Sequence, residues 1–163
     1  MTRLDADNWR WTEITDRAGL AEFCEILLSN QAHIYDLANV DHEDRLRRER
    51  DVRFFIGYGP DGAKACFAMR HHRGCRPRML QVGIAGTSFA RIAQVVNPAA
   101  VRFVQGLEQE VGEKWDGYSV APVKRSVGRI MVESIKRLSN VTIRETPVDD
   151  DETDVEYRFR MRA

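Results

Sequence analysis

The stretch from Asn97 to Leu138 constrains this chain most, because a helix pattern, a short strand pattern and a second helix pattern follow one another without a gap. Asn97-Pro98 has the form of a helix cap followed by proline in the first turn. Val101, Val104, Leu107, Val111 and Trp115 then recur every three or four residues. Gly117 interrupts that pattern, and Tyr118-Ser119-Val120-Ala121 is short and apolar enough for a buried strand. Val127, Ile130, Met131, Ser134, Ile135 and Leu138 fall on one face of a second helix. Such a succession attached to a mixed sheet is where α/β folds build ligand crevices.

The 163 residues are expected to form one domain, 1–163, long enough to bury its apolar surface without disulfides or metal. Twenty-five basic residues balance 25 acidic ones, so no net field concentrates nucleic acid or anionic membranes, and nucleic acid is not expected as a direct ligand. Cys24, Cys66 and Cys75 form no CxxC pair and leave an odd thiol, which suits a reducing compartment. No apolar run approaches a membrane span, and Met1 to Asn8 is too polar for a signal peptide. The expected location is the cytoplasm at synthesis.

Before the central stretch, Trp9 to Ile14 alternates large and polar residues as a first or edge strand does. Asp16 is placed to cap a helix carrying Leu20, Phe23, Cys24 and Leu27 on one face. Further helical stretches are expected at Gln31 to Asn39 and His42 to Arg50, the second a solvated face of mixed charge. Val52 to Tyr58, the turn Gly59-Pro60-Asp61-Gly62 and Ala63 to Arg70 spell a hairpin. Arg73 to Pro77 makes another turn before a strand at Met79 to Ala85, and Thr87 or Ser88 can cap a short helix through Phe89, Ile92 and Val96. Two strands, Asn140 to Thr146 and Val155 to Met161, straddle Pro147 and a solvated acidic turn at Asp149 to Glu152.

This order, strand, helices, three strands, helix, strand, helix, two strands, resembles the GNAT (Gcn5-related N-acyltransferase-like) fold over nearly the whole chain. The resemblance implies an α/β architecture: a mixed sheet with an antiparallel N-terminal hairpin and flanking helices. GNAT enzymes hold the pyrophosphate of acetyl-CoA on backbone N–H groups through a Q/R-x-x-G-x-G/A motif between the fourth strand and the next helix. The nearest segment here, Gln81-Val82-Gly83-Ile84-Ala85-Gly86, has its glycines at other offsets. By that resemblance the cofactor-binding candidates are Gly83, Gly86, Thr87 and Ser88, with acetyl-CoA as the ligand if the chain is an enzyme. The family's later helix supplies an asparagine and a tyrosine that protonates the departing thiolate, but no tyrosine stands between Ser119 and Glu156. No catalytic residue is assigned.

A narrower resemblance is to the GNAT-like internal virion protein family of short-tailed phages, in which the glycine motif is likewise eroded. It is carried by Thr87-Ser88, the helical run from Asn97 to Trp115, Tyr118-Ser119-Val120 and Val127 to Ile135. It implies a catalytically degenerate component of a larger assembly, with other protein chains, virion proteins among them, as partners and no cofactor. The alternative is acyl-CoA-dependent transfer to an unknown amine. Cys66, His71, His72 and Cys75 match no standard zinc spacing, so no metal is expected. At least one tryptophan, Trp9 or Trp11 because the first strand lies near a sheet edge, is expected to anchor a partner.

Overall fold

The computed structural model describes residues 8–29, 51–115, 117–120, 139–149 and 152–161. The elements are β1 (Arg10–Ile14), α1 (Arg17–Ser29), β2 (Val52–Tyr58), β3 (Lys64–Arg70), β4 (Arg78–Ala85), α2 (Ile92–Val111), β5 (Tyr118–Val120), β6 (Ser139–Asp149) and β7 (Glu152–Met161). They form an α/β fold around one mixed sheet of order β1-β2-β3-β4-β5-β7-β6. Neighbours from β1 to β4 are antiparallel, β4 and β5 are parallel, and β7 pairs antiparallel with both β5 and β6. This is the GNAT-like mixed sheet anticipated from the element order. The helical stretches expected at Gln31 to Asn39, His42 to Arg50 and Val127 to Leu138 lie outside the described residues.

Local chemistry explains the first half. Asp16 caps α1 as its position suggests, its carboxylate accepting from the Gly19 N–H at 2.8 Å. The β2–β3 hairpin closes through Pro60–Gly62, where Asp61 and Gly62 both take positive φ. Alternation along β2 and β3 then divides the core between the two faces of the sheet. Phe54, Ile56, Cys66 and Ala68 pack under Phe23, Ile26 and Leu27 of α1. Ala65, Phe67 and Met69 pack against Val95, Val96, Val101 and Val104 of α2 on the other side. Val104 and Leu107 are buried as their spacing requires, whereas Ile130 and Ile135 fall outside the described residues.

Two expectations are corrected. α2 begins at Ile92, so Asn97-Pro98 lies inside the helix rather than at its cap. Ser88 instead caps a short 3₁₀ turn, Phe89–Arg91, that runs straight into α2. Proline at this position removes one helical hydrogen bond and crowds the carbonyl a turn earlier. The buried stripe of Ile92, Val95, Val96, Ala100, Val101, Val104 and Leu107 outweighs that cost. Gly112 ends the helix in the left-handed region, its N–H donating to the Glu108 carbonyl at 2.9 Å. β6 and β7 also run further than expected and take in Pro147, Asp149 and Glu152. Pro147 is accommodated because β6 ends the sheet, where a missing N–H need not break a ladder.

The tryptophans of the first strand region also serve the chain itself. Trp9 is only 8% exposed, and Trp11 packs on Phe67 at 5.2 Å between ring centroids. Their rings cover Gly59 and Gly57 so closely that a Cβ there would come within 2.6 and 2.7 Å of ring atoms. Trp9 is thus spent on the sheet, whereas Trp11 packs on it while staying partly exposed.

Ion pairs tie the edges together. Arg53 grips Glu13 bidentately at 2.7 and 2.9 Å, and Lys64 meets Glu22 at 2.8 Å. The Arg53 hydrogen bond holds the Glu13 carboxyl below its ordinary value of 4.5, and Lys64 does the same for Glu22. A carboxyl with a lower pKa folded than unfolded adds stability above the unfolded value and loses it as pH falls through the folded one. The urea midpoint should therefore hold steady near neutrality and decline below pH 4.5. For Glu13–Arg53 the loss should be at most about 1 kcal/mol, because the pair is half-exposed. Arg53→Ala should abolish that part of the pH dependence.

Candidate functional site

The candidate site is the place where β4 meets β5. Among the described residues they pair in parallel through Arg78 with Ser119 and Met79 with Val120, supported by a 3.0 Å hydrogen bond from the Ser119 N–H to the Pro77 carbonyl. One residue later β4 bulges: Ala68 faces Gln81 while Met69 faces Met79, so Leu80 has no counterpart on β3. Beyond Met79, among the described residues, the outer edge of β4 pairs with no strand.

Two side chains bring further hydrogen-bonding capacity to this region. Gln81, just past the bulge, has a buried Oε1 with no partner. Asn97 is fully buried, its Oδ1 accepting from the Tyr118 hydroxyl at 2.7 Å and its Nδ2 meeting no acceptor. Burial pushes the Tyr118 hydroxyl far above its ordinary pKa, so it stays protonated and acts as a donor. Asn97 carries a weak sequence signal: it stands four residues before Val101 and seven before Val104, on the apolar stripe itself. Asparagine followed by proline reads as a cap, and that obscures the stripe. The bulge at Leu80 has no sequence signal.

Of the four cofactor-binding candidates, Gly86, Thr87 and Ser88 sit together at the C-terminal end of β4 and the entry to α2. Gly86 takes a positive φ of 76° over the hairpin turn, where a Cβ would lie 3.2 Å from Ala63 Cα and 3.3 Å from the Gly62 carbonyl. Ser88 accepts the Ala90 N–H on its own hydroxyl at 3.3 Å. Gly83 is separate: its missing Cβ makes room for Cys66 Sγ and the Ile26 carbonyl, on the α1 side of the sheet.

Cys66, His71, His72 and Cys75 do not form one cluster. Cys66 is buried beneath α1 and Cys75 is exposed in the β3–β4 turn. His72 lies 3.5 Å from Asp51, while the His71 ring meets Trp115 edge-on at 4.7 Å. Burial raises the Cys66 thiol well above its ordinary value, so it resists forming the reactive thiolate. Brief iodoacetamide treatment of the native protein should therefore label Cys75 and spare Cys24 and Cys66, as peptide mapping would show. Prior labelling at Cys66 would mean that the α1 face opens.

No protein-family model and no curated protein sequence matches this chain. Among the described residues, no helix is long and apolar enough to cross a membrane.

Proposed function

We propose that this GNAT-like domain is a non-catalytic component of a larger protein assembly. The observation that carries the reading is the turn after β4, where acyltransferases of this fold hold pyrophosphate. Here Gly86 is packed onto Ala63 and the Ala90 N–H is taken by Ser88, so the turn spends its space and one helix-start donor within the chain. The glycine offsets in Gln81 to Gly86 point the same way. The narrower form, a phage virion component with other virion proteins as partners, rests on the sequence resemblance.

Acyl transfer from acyl-CoA to an amine is the second reading, favoured by the Leu80 bulge in β4 next to its parallel pairing with β5. In that reading strand N–H groups would hold the thioester oxygen while the amine attacks. Titration calorimetry separates the two. Acetyl-CoA should show no saturable heat up to about 1 mM, whereas low-micromolar binding with turnover against an amine would overturn the assembly reading. Purification from the native source should bring the chain down with a large particle.

A further inference from the structure

The connection between β3 and β4 concentrates cations at the surface, next to the end of β4 that pairs with β5. Arg70, Arg73, Arg76 and Arg78 stand within residues 70–78, and the sheet register sets Arg70 directly opposite Arg78. Arg73 and Arg78 are exposed. The fold adds Lys114, also exposed, because the Glu113 carboxylate beside it accepts the Gly74 N–H at 3.2 Å.

The turn is also held in shape. Trp115 braces His71 from the core side, and the Cys75 N–H donates to the His72 carbonyl at 2.9 Å. Gly74 supplies the positive φ of 82° that the reversal needs. Among the described residues, two carboxylates, Asp51 and Glu113, are tied to the turn. Because the chain as a whole is neutral, the cationic field of the turn is local.

The neighbouring chemistry selects the anion. The exposed side chains of the turn, among them His72, Arg73 and Arg78, include no large apolar group. Stable protein docking draws on a desolvated apolar or aromatic centre, whereas a nucleic-acid backbone is bound through charge and counterion release alone. Guanidinium groups also match phosphate oxygens bidentately. We infer that the β3–β4 turn, together with Lys114, docks the phosphodiester backbone of a nucleic acid without reading its sequence. The inference stands apart from the assembly reading.

Fluorescence anisotropy with a labelled random duplex of about 20 base pairs, from about 50 to 200 mM salt, tests it. Binding should weaken with salt at a log–log slope of roughly −3. The R73E/R78E double variant should bind at least about ten-fold more weakly and with a shallower slope, while far-UV circular dichroism shows the fold retained. R10E/R17E, which changes net charge equally from exposed positions elsewhere, should keep most of the affinity. Three results would each overturn the inference: no binding at the lowest salt, equal losses in both double variants, or displacement of the duplex by an equimolar poly-glutamate peptide. The last would mark an acidic protein as the partner.

Discussion

Phe67→Ala should cost about 3–5 kcal/mol of folding free energy, at the upper end of what truncating one core side chain does to a domain. Phe67 is buried at the centre of β3, stacked on Phe55 at 4.9 Å and tilted against Trp11 at 5.2 Å. Phe55 continues the contact to Phe103 of α2, and Arg53 lies over both rings, 5.9 Å from the Phe55 centroid and 4.9 Å from that of Phe103. One side chain thus links β1, β2, β3 and α2. Removing it opens a cavity that these rings cannot close while Trp9 and Trp11 remain seated over Gly59 and Gly57. Urea denaturation should show the midpoint shift, and the melting temperature should drop on the order of 10 °C. A loss under about 1 kcal/mol would mean that the aromatic cluster repacks.

Breaking the pair of Asn97 and Tyr118 should show strong coupling. Tyr118→Phe removes the donor to the buried Asn97 Oδ1, and Asn97→Ala removes the 2.7 Å acceptor of the Tyr118 hydroxyl. Each single change should cost about 1–3 kcal/mol, the desolvation penalty of a stranded polar group. The double variant removes both groups and should cost clearly less than the sum of the singles. Additive losses from denaturant curves would show that the 2.7 Å contact carries no energy of its own. Should acyl-CoA bind next to β5, Asn97→Ala should also weaken it, which ties this cycle to the calorimetry.

The sequence by itself determined what depends on neighbours in the chain. Asp16 capping α1, the turn Gly59-Pro60-Asp61-Gly62, alternation along β2 and β3, and the apolar period of α2 are short-range signals, and each appears where its residues place it. Even there, tertiary packing moved a boundary. Asn97-Pro98 favours a helix start on local grounds, but burying one continuous stripe from Ile92 to Leu107 against the sheet is worth more.

What only the tertiary structure decided lies in contacts between distant segments. The meeting of Arg78 and Met79 with Ser119 and Val120, the unmatched Leu80, and the burial of Asn97 over Tyr118 all depend on stretches of chain that are remote in sequence. The same holds for Glu113 brought to Gly74, which carries its chain neighbour Lys114 toward the same end of the sheet. Periodicity records which face of an element is apolar; it carries no record of which distant backbone will supply a hydrogen-bond partner. The order of the described elements was therefore legible in the residues, while the bulge beside β5, the closed turn after β4 and the gathered charge arose only when the sheet brought separate stretches of chain together.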